Sequence, residues 1–213
     1  MHVGIIKAPR DDRREIKAPR DDRREAILVI ARQVFMESGY AAASMSAIAA
    51  RVGGSKGTLY NHFRSKAELF AAVVQNQCDL HQSQLFDVSD RDLRTFLSEL
   101  AGRFARLMLS EDVLTMHRIV VAEATRFPEI GEALYEAGPK RGKARLTAYL
   151  KQAMAEGRMR QADPERAAAQ AMDLALCGLY WRRLWNVGPP PTDAEIDANV
   201  QASVETFMAA YGV

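Results

Sequence analysis

The stretch SMSAIAARVGGSKGTLYNHF, from Ser44 to Phe63, decides the fold. It reads as two short helices, one beginning near Ser44 or Ser46 and ending by Val52, the other running from about Ser55 to Phe63, with Gly53 and Gly54 between them. Ile48, Ala49 and Val52 share one face of the first, and Leu59 and Phe63, four residues apart, share one face of the second. Ala49, Ala50, Gly53 and Gly54 are small enough to let the two helices cross closely, while Ser55, Lys56, Gly57, Thr58, Tyr60, Asn61 and His62 give the second a polar opening. This is the build of a helix-turn-helix, in which the second helix enters the major groove of DNA and the first braces it. Hydroxyl, ammonium and helix-terminal amide groups suit phosphate oxygens, and Lys56 and Thr58 also reach base edges. On spacing alone, a glycine-linked corner in a helical bundle is the alternative, with Tyr60 half-buried and Lys56 solvated.

Working outward, Ile27, Ala31, Val34 and Phe35 recur at helical spacing between about Asp22 and Ser38, and Gly39 supplies a stop. Ahead of this helix stands a tandem repeat, IKAPRDDRRE at Ile6 to Glu15 and again at Ile16 to Glu25. Two ten-residue copies cannot stack into a solenoid, and Pro9 and Pro19 interrupt a spanning helix. Residues 1–21 are therefore expected to form a mobile charged arm, with the second DDRRE opening the first helix and Asp21 or Asp22 capping it. Each copy interleaves four basic with three acidic residues, so diffuse, salt-dependent attraction to phosphates is expected rather than sequence choice.

Downstream, helical stripes continue without a convincing strand. Leu69, Phe70, Val73 and Val74 form one, Leu93, Phe96, Leu97, Leu100, Phe104 and Leu107 another, and Val113, Met116, Val120 and Val121 a third. Further helices are predicted at about 140–156, 164–185 and 193–210, the last two parted by Gly188 and Pro189 to Pro191. The expectation is an all-α chain of nine or ten helices in 213 residues, with 22–68 as a three-helix head and 69–213 as a larger helical body. Before residue 70 there are 13 basic against 8 acidic side chains, and after it 16 against 19, so a polyanion is drawn to the head. No run approaches the roughly 18 apolar residues of a membrane span, and no secretory signal opens the chain, so a cytoplasmic protein is expected. Cys78 and Cys177 make neither a metal spacing nor a disulfide framework. Cys78 and His81 share a helix face, but two ligands are not a metal site. A phosphate-binding loop after a strand, a nucleophile elbow and an acid–base cluster are all missing, so neither an enzyme nor a cofactor is expected.

The ordered set Gly39-Tyr40, Ser46, Ile48-Ala49, Gly53, Ser55, Gly57-Thr58-Leu59-Tyr60, His62-Phe63, Lys66 and Leu69 closely resembles the DNA-binding domain of the TetR family of bacterial regulators over about residues 22 to 70. The resemblance implies that Ser46 caps the second helix and holds a phosphate. It makes Ser55, Lys56, Gly57 and Thr58 the leading edge of the recognition helix, and Tyr60 the aromatic touching backbone and thymine methyls. His62 and Lys66 become phosphate contacts. Many members carry threonine where this chain has Ser46, which keeps the hydroxyl. The segment from Arg118 to Pro139 is similar to the AefR-like class of C-terminal domains, whose members often regulate efflux pumps or neighbouring metabolic genes and usually repress.

A two-fold operator needs a two-fold protein. Two stripes offer a pairing surface: Ala167, Ala171, Leu174, Gly178, Trp181 and Trp185 on one helix, and Ile196, Val200, Val204, Phe207 and Tyr211 on the next. Pairing with a second copy would make a four-helix interface, although both stripes can instead face their own subunit's core, and both roles can coexist. A cavity for an apolar or amphipathic small molecule is expected among Phe104, Met108, Met116, His117, Cys177 and Trp181, where core packing is the competing role for each residue. The expected protein is a homodimeric, ligand-responsive repressor acting on a palindromic operator. An activator or ligand-independent regulator is the alternative within that class, and a helical interaction module without operator binding lies outside it.

Overall fold

A computed structural model describes residues 19–88 and 92–213; the first repeat copy and most of the expected arm lie outside the described residues. Eleven helices and no strand are present among the described residues: α1 (Pro19–Ala42), α2 (Met45–Val52), α3 (Lys56–His62), α4 (Lys66–Leu85), α5 (Leu93–Met108), α6 (Glu111–Glu123), α7 (Pro128–Ala137), α8 (Pro139–Ala155), α9 (Pro164–Leu176), α10 (Leu179–Leu184) and α11 (Asp193–Tyr211). No helix is long and apolar enough to cross a membrane.

The helix boundaries follow local chemistry. The side chains of Ser44, Ser55, Ser65, Asp92, Ser110, Asp163 and Thr192 each accept a backbone N–H of the helix they precede, satisfying a donor that the helix leaves orphaned. α1 begins at Pro19, where proline's fixed φ and missing N–H cost nothing, so Asp21 and Asp22 lie inside the first turn rather than at the cap. α2 ends on Gly53 at φ 72°, ψ 34°, a left-handed conformation that glycine adopts freely, and the N–H groups of Gly53 and Gly54 close onto the carbonyls of Ala50 and Ala49.

Two cores hold the helices. In the first, Ile27, Ala31 and Phe35 of α1 meet Ile48, Leu59 and Phe63, together with Leu69, Phe70, Val73 and Val74 of α4 and Val120, Ile130 and Ala137 of α6 and α7. In the second, Leu93, Phe96, Leu97 and Leu100 of α5 meet Leu146 and Leu150 of α8, Ala167 and Ala168 of α9, and Ile196, Val200, Val204 and Phe207 of α11. Packing is continuous across residue 69, because α4 begins in the first core and ends against the second at Leu85.

The expected helix at 164–185 is broken. α9 stops at Leu176, Cys177 leaves the helical conformation, and Gly178 at φ 73° precedes the separate α10. Periodicity runs through such a break unnoticed, because glycine interrupts the backbone without interrupting the apolar spacing.

The caps yield a contrast between neighbouring serines. Ser44→Ala is expected to lower the unfolding free energy by about 1 kcal/mol, whereas Ser46→Ala, exposed in the first turn and capping nothing, should stay within about 0.5 kcal/mol of the parent. Urea unfolding of both variants measures it, and equal losses would reject the assignment of the cap to Ser44.

Candidate nucleic-acid interface and effector cavity

α3 is anchored from below and open above. Leu59 and Phe63 are buried in the first core, while Ser55, Lys56, Gly57, Tyr60 and Asn61 are exposed. The Ser55 side chain accepts the Thr58 N–H at 3.1 Å and lies 2.9 Å from the Thr58 hydroxyl, which fixes the leading edge of the helix. The Lys56 ammonium sits 5.8 Å from the Tyr60 ring centroid, so a cation and an amphipathic aromatic stand side by side on the solvent face. α2 is braced against α1 by Arg51, whose guanidinium donates two hydrogen bonds to Glu37 at 2.5 and 2.9 Å. A short helix with a rigid base and a polar, exposed top can enter a groove without deforming.

Two sequence-based assignments change here. Ser46 does not cap α2, since Ser44 does; it stands exposed in the first turn and keeps its hydroxyl available. Lys66 is engaged within the protein. Its ammonium donates to the carbonyls of Tyr40 at 2.6 Å, Ala43 at 3.0 Å and Ala41 at 3.2 Å, and lies 4.4 Å from the centroid of the Tyr40 ring. All three donors of the ammonium are thereby used on the end of α1, leaving none for a phosphate. His62 is half-buried beside Phe63.

A cavity of about 270 Å³ opens between α4, α5, α6, α8 and α9. Of the residues named from the sequence, Phe104, Met108, Met116 and His117 line it, and Cys177 and Trp181 do not. Both are exposed, because the break at Gly178 carries the chain away from the cavity, and Trp181 packs instead on Tyr180 and Trp185. The cavity also takes Cys78, His81 and Gln82 from α4, and Arg32 and Met36 from α1. The i, i+3 spacing of Cys78 and His81 marked one helix face, but nothing in the sequence set that face against α5 and α6. No cluster of three or more metal-ligating side chains occurs among the described residues.

Few polar side chains line the cavity. His117 Nδ1 lies 2.6 Å from the Tyr180 hydroxyl, and burial lowers the His117 pKa. Burial, followed by the nearby Arg32 charge, lowers that of His81 as well. Arg32 is paired with Asp112 of α6 at 2.8 Å. Burial pushes the Cys78 thiol up to about 11, so it stays protonated and unreactive.

The expected pairing stripe of α11 is also reassigned. Val200, Val204 and Phe207 are 7%, 4% and 2% exposed and pack into their own second core, while the Tyr211 hydroxyl donates to Gln170 of α9. Ala171 and Leu174 likewise pack partly on that core. The opposite face of α11, carrying Ala194, Ala198, Ala202 and Ala209, is exposed, and so are Gly178, Trp181 and Trp185.

Residues 27–73 match the family described as bacterial regulatory proteins, tetR family, and residues 95–213 match the AefR-like transcriptional repressor, C-terminal domain. The transcriptional activator FasR of Mycolicibacterium smegmatis is 50% identical over 73 residues, covering 34% of this chain and 29% of FasR. The chain spans about half the length, 55%, of other curated regulators it matches. A TetR-family regulator from Mesorhizobium loti of solved structure superposes with a TM-score of 0.84 at 28% identity, over 92% of this chain and all of that one. The flavonoid-responsive regulator FrrA superposes with a TM-score of 0.79, also at 28% identity, over 90% and 98%.

The two lysines should separate by experiment. Lys56→Ala is expected to weaken binding to many DNA sequences and to reduce the salt slope by about one, with unfolding unchanged. Lys66→Ala should lower stability by about 1–3 kcal/mol through three abandoned carbonyls and keep the parent salt slope. A stable Lys66→Ala protein with a reduced slope would return Lys66 to the DNA face.

Proposed function

The chain belongs to the TetR family of DNA-binding transcriptional regulators, whose members are not enzymes, and from that membership we propose that it is a homodimeric repressor released from a palindromic operator by a small molecule. The observation that carries this reading is the course of α4. Its first half, at Leu69, Phe70 and Val73, is buried with the head, and its second half, at Cys78, His81 and Gln82, lines the cavity. Twenty helical residues span about 30 Å as one rod, so a ligand that shifts the cavity half also moves the head. Occupancy alone does nothing; release requires that the ligand favour the state with poorly spaced heads.

DNA contact is proposed for Ser46, Ser55, Lys56, Gly57, Thr58, Tyr60 and His62. The exposed polar top of α3 supports this set, and the family's operator binding supports the class of partner. For dimerisation we propose the outer faces of α9 and α11. The alanine stripe of α11 allows close helix approach, and the exposed Trp181 and Trp185 offer apolar area beside it. The AefR-like C-terminal match favours repression, while FasR, 50% identical over 73 residues, is an activator. The flavonoid response in FrrA's name supports a small-molecule effector here.

Selection of duplexes from a random pool by the purified protein is expected to return a two-fold symmetric sequence, and placing it across a promoter should lower reporter output. An asymmetric or unenriched pool would reject operator binding, and raised output would make the protein an activator. Ala202→Arg should shift sedimentation toward monomer with helicity intact and weaken binding to the selected duplex. A dimer of unchanged dissociation constant would exclude the outer face of α11.

A further inference from the structure

Resting on the reading of the central cavity as the effector site, we propose that the effector is an uncharged aromatic molecule bearing a hydroxyl, with that hydroxyl hydrogen-bonded to His117. Charge balance comes first. Arg32 is already neutralised by Asp112 at 2.8 Å, and Asp173 lies exposed at the rim, where water screens it. A carboxylate entering the cavity has to displace Asp112 to find a cation, and an ammonium meets no buried carboxylate, so either ion loses its hydration without full compensation.

The choice of a hydroxyl follows from His117. Its Nδ1 is held by Tyr180 at 2.6 Å, which leaves Nε2 as the second polar atom of a ring that lines the cavity and whose charged form is disfavoured by burial. Depending on the tautomer, Nε2 is a donor or an acceptor. A hydroxyl answers either case, because it donates and accepts.

The remaining surface selects for a ring. Met36, Met108, Met116 and Met172 surround the space together with Phe86 and Phe104. Thioethers make favourable edge contacts with aromatic rings, and a flat solute keeps contact with both walls of a narrow space. The volume, about 270 Å³, lies just below the roughly 300–1,000 Å³ typical of ligand pockets, which suits two or three rings rather than a long chain.

Four probes sharing one frame test the proposal on the full-length protein: biphenyl-4-ol, biphenyl, biphenyl-4-carboxylate and the 4-phenylbenzylammonium ion, titrated calorimetrically. Biphenyl-4-ol should bind about three- to tenfold more tightly than biphenyl, as one neutral hydrogen bond provides, and more tightly still than both ions. His117→Phe should erase the gap between biphenyl-4-ol and biphenyl while still binding both, and His117→Gln should restore part of it; thermal unfolding verifies that each variant is folded. Tightest binding by either ion, equal binding of biphenyl-4-ol and biphenyl, an undiminished gap in His117→Phe, or no binding of any probe would overturn the proposal. Operator affinity measured with each probe separates this outcome from the parent reading. If biphenyl-4-ol binds as expected but leaves operator affinity unchanged, the assigned ligand class stands and effector-driven release falls.

Discussion

The geometry of this protein depends on a clasp made by one ammonium. Gly39, at φ 76° and ψ 172°, kinks the end of α1, and Lys66, the first residue of α4, supplies all three of its donors to the carbonyls of Tyr40, Ala41 and Ala43 that follow the kink. The cation rests over the Tyr40 ring, and Phe127, from the turn between α6 and α7, meets that ring edge-on at 5.1 Å. The Tyr40 hydroxyl donates to Glu129 of α7 at 3.2 Å, and burial, reinforced by that carboxylate, pushes its pKa up to about 12, so it remains a donor throughout the physiological range. Three parts of the molecule converge on one turn: the helix that carries the head, the helix that runs to the cavity, and the pair that forms the cavity's far wall.

A second link joins the same parts at the other end. Arg32 of α1 pairs with Asp112 at the start of α6, and both line the cavity. Farther along α6, the Arg118 guanidinium donates to the carbonyls of Arg183 and Leu184 and to Glu111, which fastens α10 with its exposed tryptophans to the same helix. α6 thus touches the head, the cavity wall and the proposed pairing surface. Under the proposed function, a molecule inserted beside His117 would press on a helix tied at both ends, which is the route proposed from the cavity to the head.

The places where residue spacing misled share a cause. Val200, Val204 and Phe207 lie on one helix face, and an apolar face looks the same whether a partner subunit or the chain's own α5 covers it. Lys66 has the identity and position of a phosphate contact, yet its direction is set by carbonyls some 25 residues earlier in the chain. Cys177 and Trp181 follow the cavity-lining end of α9 in sequence, but the break in the helix at Cys177 and Gly178 turns them away from the cavity. These three concern where a side chain points after packing, whereas the break of the expected 164–185 helix at Cys177 and Gly178 is a matter of backbone geometry.

The sequence by itself determined the helical class, the glycine stop of α2, the buried faces at Ile48, Leu59 and Phe63, and the polar opening of α3. All of these follow from interactions within about four residues along the chain, where dihedral preference and helical period act directly. Only the tertiary structure decided that Cys78 and His81 face Phe104 and His117 across a cavity, that Lys66 clasps α1, and that the free face of α11 is its alanine face. Those outcomes depend on which apolar faces bury each other, and that choice minimises exposed area over the whole chain at once rather than within any one segment.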